Sequence, residues 1–126
     1  MIAKAILLGR IGFKKTGSTR EGVPIVTLSI ATNKVYKTTK GEKKESTSWH
    51  TVNCFSKLAD IAGKYANVGN LIYIEGNINS QKTEKEGAEK WVYSVTASEI
   101  KLLPNAKQEN YGNNEEYFKS NDYLND

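Results

Sequence analysis

Apolar residues in this chain alternate with polar ones or gather in short stretches between Gly-containing polar segments, the pattern of a small all-β domain. The alternation predicts a first strand over residues 3–11, where Gly9 and Gly12 mark a bulge or bend at which the sheet curls, and then a basic loop over residues 13–22. A second strand, residues 23–33, places Val26, Leu28 and Ile30 on one face and Thr27, Ser29 and Ala31 on the other. Pro24 falls near its start, where a missing N–H is tolerated. Residues 37–46 hold four lysines and no apolar residue, so they form an exposed hairpin loop leading into a third strand over residues 46–56. One segment has helical spacing. Leu58, Ile61, Ala62 and Tyr65 recur at i, i+3, i+4 and i+7 within residues 57–66, with Ser56 at the N-cap and Gly69 beyond the end. Residues 70–79 read as strand four, 82–90 as a second lysine-bearing loop and 91–103 as strand five. After Pro104 the periodicity stops, so one domain over residues 1–103 is expected to carry a disordered acidic tail over residues 104–126.

Strand three holds the candidate chemistry. Side chains two apart share a face, so Trp49, Thr51, Asn53 and Phe55 point one way while His50, Val52 and Cys54 point the other. From alternation alone two readings stand: either Trp49 and Phe55 are core, or they form an aromatic platform on a face turned away from it. The basic segments on either side favour the platform.

Charge sharpens the picture through its distribution. Residues 1–103 carry 16 Lys/Arg against 9 Asp/Glu, a net of +7, and residues 104–126 carry 2 against 5, a net of −3. A basic body suits a polyanion, which a positive surface attracts irrespective of sequence, although lysine excess also serves solubility. No run of apolar residues approaches the length that spans a bilayer, and Met1-Ile-Ala-Lys lacks a basic-then-apolar signal layout, so a cytoplasmic protein is expected. With one cysteine, Cys54, and one histidine, His50, neither an internal disulfide nor a structural zinc site can be assembled, and no cofactor is expected. The chain holds no phosphate-cradling Gly-Lys-Ser/Thr motif and no compact carboxylate cluster, so an enzyme is not expected.

Three strands, a helix and two strands is the order of the five-stranded oligonucleotide-binding (OB) barrel. Four segments make the resemblance specific: Ala5-Ile-Leu-Leu-Gly-Arg10, Gly22 to Asn33 ending in Leu-Ser-Ile-Ala-Thr-Asn, Thr47-Ser-Trp-His-Thr-Val-Asn-Cys-Phe-Ser-Lys-Leu-Ala59 and Tyr73-Ile-Glu-Gly76. Over residues 2–103 the chain resembles the homotetrameric single-stranded DNA-binding proteins of bacteria and phages. The resemblance implies that Trp49 and Phe55 stack on bases, that Tyr36 at the edge of the lysine-rich hairpin is a third stacking aromatic, and that Lys57 lies near the strand path. It places His50 at a subunit contact, and its alternative on residue grounds is a hydrogen-bonded core histidine. Between strands four and five, where many members have a tryptophan, this chain has Lys82 and Thr83. Trp91 either supplies a platform instead or packs in the core or sheet edge. The family's Asp-Pro-Glu after the first strand is replaced by Lys14-Lys15-Thr16-Gly17.

The implied function is sequence-independent binding of single-stranded DNA in replication, recombination and repair, by a protein associated with the nucleoid. Aromatic faces cover the bases and lysines track the phosphates. Arg10, Lys14, Lys15, Lys34, Lys37, Lys43, Lys57 and Lys85 are the candidate phosphate contacts, each with a solvated surface lysine or arginine as its alternative. An RNA-binding OB module uses similar platforms, and a replisome adaptor on the same barrel would lack the stacking aromatics. The family's flexible arm recruits replication and repair proteins. Here the arm ends Asp122-Tyr-Leu-Asn-Asp126, acidic and aromatic but without the usual Asp-Asp-Ile-Pro-Phe, and an inert solubilising tail is its other reading.

Overall fold

The computed structural model describes residues 1–103; the expectation of a disordered tail over 104–126 lies outside the described residues. Five strands and one helix follow in the expected order: β1 (Lys4–Ser18), β2 (Pro24–Lys37), β3 (Lys43–Phe55), α1 (Lys57–Tyr65), β4 (Leu71–Lys85) and β5 (Ala88–Leu102). The strands close into a barrel in the order β1-β2-β3-β5-β4, with β3 and β5 parallel and the other neighbours antiparallel. Closure removes the sheet edges. It depends on β1 bending, because residues 4–10 pair with β4 while residues 10–18 pair with β2.

The bend is sited at glycines. A Cβ on Gly9 would collide with the Ala31 carbonyl oxygen, and Gly12 is the extra residue of a β-bulge between Ile11 and Phe13. Alternation then sorts the core. Ile11, Leu28, Ile30, Val52, Ile72 and Ile74 are fully buried, each contributing about 1.5–3 kcal/mol of transfer free energy. Helix α1 plugs one end through Ala59 and Ala62, and Ala66 just beyond it is also buried.

Several boundaries differ from expectation. The basic loop of residues 13–22 is strand up to Ser18. Of the first lysine-rich loop, residues 38–42 are the connecting turn and 43–46 are strand, and the second, residues 82–90, is a hairpin ribbon apart from its turn, so both extend the sheet past the barrel. In the ribbon of β4 and β5 only Glu86 and Gly87 lie outside the strands. Both have positive φ, 55° and 80°, as a tight hairpin turn requires. The ribbons were illegible as strands because their residues are polar on both faces, which erases the period-2 signal. Helix α1 ends at Tyr65, and Ser56 precedes it at φ 54° without a side-chain capping bond. The helix C-terminus also departs from the glycine-cap expectation. Lys14 Nζ donates to the carbonyls of Ala62 (3.3 Å), which also accepts the Ala66 N–H, Gly63 (2.8 Å) and Ala66 (2.8 Å), placing a cation at the negative end of the helix dipole.

Cys54 is fully buried, and desolvation pushes its thiol from an ordinary 9.0 up to about 11. The unfolded chain loses this proton first, so the stability tied to the neutral thiol is present below pH 9 and is lost as pH climbs towards 11. At pH 8 the native protein is expected to resist thiolate-directed alkylation and to react only in denaturant; equal rates in both would place Cys54 at the surface.

Candidate nucleic-acid interface

The outer wall of β1, β2 and β3 follows from the register. Successive outward rows are Arg10–Ala31–Trp49, Phe13–Ser29–Thr51, Lys15–Thr27–Asn53 and Gly17–Ile25–Phe55. The other parity, Ile30, Val52 and Cys54, is core, so the core reading of Trp49 and Phe55 is set aside: they are 60% and 37% exposed. Between them the floor is small or polar, and Thr27 Oγ1 donates to Asn53 Oδ1 at 2.9 Å. A planar apolar surface above such a floor can accept a base face without reading its hydrogen-bonding edge.

The indole of Trp49 spans Ala31 and ends on β1. A Cβ on Gly12 would meet Cζ3 of the indole and come within 2.6 Å of its Cη2, so the absent side chain is the seat of the ring. Pre-placement of this kind lowers the ordering cost when a ligand stacks.

The bulge at Gly12 also redistributes the basic residues. Lys15 and Arg10 share the aromatic wall, with Arg10 Nη1 donating to the Gly69 carbonyl at 3.0 Å. Lys14 pairs with core residue Leu28 and turns inwards to α1, which removes its ammonium from the wall. Lys37 and Lys43 pair with each other and keep the parity of Trp49 along the ribbon of β2 and β3, whereas Tyr36 and Lys34 take the opposite parity, that of His50. Lys57 opens α1, two residues after Phe55, and Lys85 adjoins the Glu86-Gly87 turn. Trp91 is exposed and outside the core. It alternates with Tyr93 and Val95, so it continues the core face of β5 beyond the barrel and pairs with Lys82. The described site residues thus form one compact group on the wall and two outlying groups on the ribbons.

His50 is half-buried, paired with Ile30 across β2, and its Nε2 shares a 2.8 Å hydrogen bond with Thr32 Oγ1. A second outer surface lies on β1 and β4, where Ile6 and Leu8 are 61% and 52% exposed beside Tyr73 and Glu75. Lys4 Nζ sits 2.8 Å from Glu75 Oε1. That ammonium, joined by a hydrogen bond with Glu99, holds the Glu75 carboxyl below its usual range, while Glu75 raises Lys4. Desolvation, followed by the charge of Glu75, raises Tyr73.

A closed five-stranded barrel with one helix between its third and fourth strands is the OB barrel, and here one wall of it bears exposed aromatics. Residues 2–103 match the model of the Single-strand binding protein family, and the chain belongs to that family. It is 37% identical over 111 residues to the single-stranded DNA-binding protein of Neisseria meningitidis, covering 86% of this chain and 63% of that protein. To the Xylella fastidiosa single-stranded DNA-binding protein it is 40% identical over 104 residues, covering 81% and 63%. The chain spans a little under two thirds of the length of these relatives. The fold is similar to that of the Plasmodium falciparum SSB in complex with ssDNA (TM-score 0.76, 24% identity, 82% of this chain and 96% of the other). It is also similar to that of the Thermus aquaticus single-stranded DNA-binding protein (TM-score 0.72, 24% identity, 83% and 52%).

Phe13 was missed by sequence reasoning, having fallen in a segment read as loop. The available signal was Gly12: a bulge there exchanges the parity of every later residue of β1.

Proposed function

We propose that this protein binds single-stranded DNA without sequence preference and acts by coverage and protection, with no catalysed step, in bacterial or phage replication, recombination and repair. The observation that carries this reading is the exposure of Trp49 and Phe55 on one barrel wall in a chain of the single-strand binding family. Tyr36 and Trp91 add separate stacking positions on the ribbons, away from the wall of Trp49 and Phe55, and Arg10, Lys15, Lys34, Lys37, Lys43, Lys57 and Lys85 supply the phosphate contacts. Lys14 leaves this set, since its ammonium is committed to α1. No helix among the described residues is long and apolar enough to cross a membrane. The cytoplasm and nucleoid are where such a ligand is met.

Titration with oligo-dT, oligo-rU and duplex DNA of equal length tests the reading. Oligo-dT is expected to bind most tightly, with log K falling against log salt by about 0.7 per phosphate neutralised, and a Lys37→Ala/Lys43→Ala variant is expected to flatten that slope by about one. Tighter binding of oligo-rU would move the protein to RNA, and an unchanged slope would return both lysines to the solvent.

Assembly into a homotetramer fits the uncovered apolar pair Ile6 and Leu8, framed by the Lys4, Glu75, Tyr73 and Glu99 polar cluster, together with the half-buried His50. Leu8→Glu and His50→Glu are each expected to lower the sedimenting mass, because a charge buried at a packed contact loses solvation without gaining a partner. An intact tetramer for both would place the subunit contacts elsewhere. Residues 104–126, with their net −3 charge, are assigned to docking replication and repair proteins and to weak competition with phosphate for the +7 body.

A further inference from the structure

We infer that Phe13 is a base-stacking residue of this chain, a platform on β1 that adjoins Trp49 and carries the bound strand across the barrel wall; the inference rests on the single-strand reading above. Phe13 is 56% exposed, and the bulge at Gly12 turns it to the outer face, opposite Ser29 in the row Phe13–Ser29–Thr51. The small neighbours in that row leave its ring without a side-chain wall. A lone exposed phenylalanine would be ordinary, but this one is continuous with a second aromatic, since the Trp49 indole ends against Gly12, the residue before it.

Three features of β1 agree with a strand crossing there. Same-face rows lie about 7 Å apart along a strand and neighbouring strands about 4.8 Å apart, so the wall is narrow enough for one extended chain of nucleotides to touch both rings. Lys15 occupies the next outward position on β1, between the levels of Phe13 and Phe55, where a phosphate beyond a stacked base finds a cation. Arg10 stands on the other side, in the row of Trp49. Aromatic and basic positions therefore alternate along β1 as Arg10, Phe13 and Lys15, which is the arrangement a base-and-phosphate polymer needs. Residues 10–18 hold Arg10, Lys14 and Lys15 and no acidic residue, so the segment repels no phosphate.

The test compares wild type, Trp49→Ala, Phe13→Ala, Phe13→Leu and Phe13→Tyr in titrations with oligo-dT and with an abasic deoxyribose-phosphate strand of equal length. Phe13→Ala and Phe13→Leu are expected to lose about fivefold to a hundredfold in affinity for oligo-dT. Phe13→Tyr is expected to bind as wild type does, because it keeps the ring, and no Phe13 variant should differ from wild type on the abasic strand. Unfolding midpoint and sedimenting mass should not move, since the side chain is exposed and outside the subunit surfaces assigned above. Wild-type affinity in Phe13→Ala or Phe13→Leu, with Trp49→Ala weakened, overturns the role of Phe13 alone. A loss that appears only together with a changed sedimenting mass overturns it too, by making Phe13 a contact between copies. Wild-type protein that binds the abasic strand as tightly as oligo-dT instead removes the single-strand stacking reading itself.

Discussion

Replacing Trp49 and Phe55 together by alanine is expected to weaken binding of oligo-dT by about 2–6 kcal/mol, one platform being worth about 1–3 kcal/mol. The rings lie six residues apart on β3, about 20 Å at the rise of a strand, so they serve different bases and the two losses are expected to add. Both rings lie on the wall opposite Val52 and Cys54, so their removal opens no core cavity. Thermal unfolding should therefore stay within about 0.5 kcal/mol of wild type, as is usual for surface substitutions. Titration and thermal melting of the same samples check both halves. A variant that unfolds while keeping full affinity per folded molecule would return the rings to the core.

Lys14→Met is expected to give the opposite pattern. Its ammonium donates to three helix carbonyls, and removing charge-assisted hydrogen bonds at a partly buried site costs about 1.5–3 kcal/mol. Denaturant unfolding should reveal that loss, with affinity for single strands per folded molecule unchanged. Lys15→Met, one residue along, should leave stability alone and reduce the salt dependence of binding. If Lys15→Met is the destabilising one, or if the two substitutions act alike, the bulge does not turn Lys14 inwards.

The contrast between these neighbours shows where the sequence was legible. Alternation put Val52 and Cys54 on one face of β3 and Trp49 and Phe55 on the other but left open which face was core; the basic flanks favoured the outward placement of the aromatics that the structure has. The order of strands and helix could be read from the spacing of apolar residues. Beyond Gly12 the reading slipped. A bulge was anticipated there, but its effect on parity needs the pairing partner: only the register Lys14 with Leu28 and Phe13 with Ser29 says which of two adjacent residues faces inwards. The ribbons were misread because strands solvated on both faces carry no hydrophobic period. Ser56 misled in another way, since its sequence position suits an N-cap while its backbone, at φ 54°, does not hold the hydroxyl on the helix N–H groups.

The extra residue at Gly12 makes the length of β1 as consequential as its composition. Deleting Gly12 would leave Phe13 opposite Ser29 and Lys14 opposite Leu28, each on its present side, but would remove the bulge at which β1 bends. Lys14 would keep its place towards α1, but Trp49 would lose the gap in which its indole rests. In the turn at Glu86-Gly87, by contrast, added residues would lengthen a solvated ribbon without altering any inward-facing position of the barrel. Changes of chain length in this protein are thus tolerated at the ribbon tips and excluded at the bend of β1.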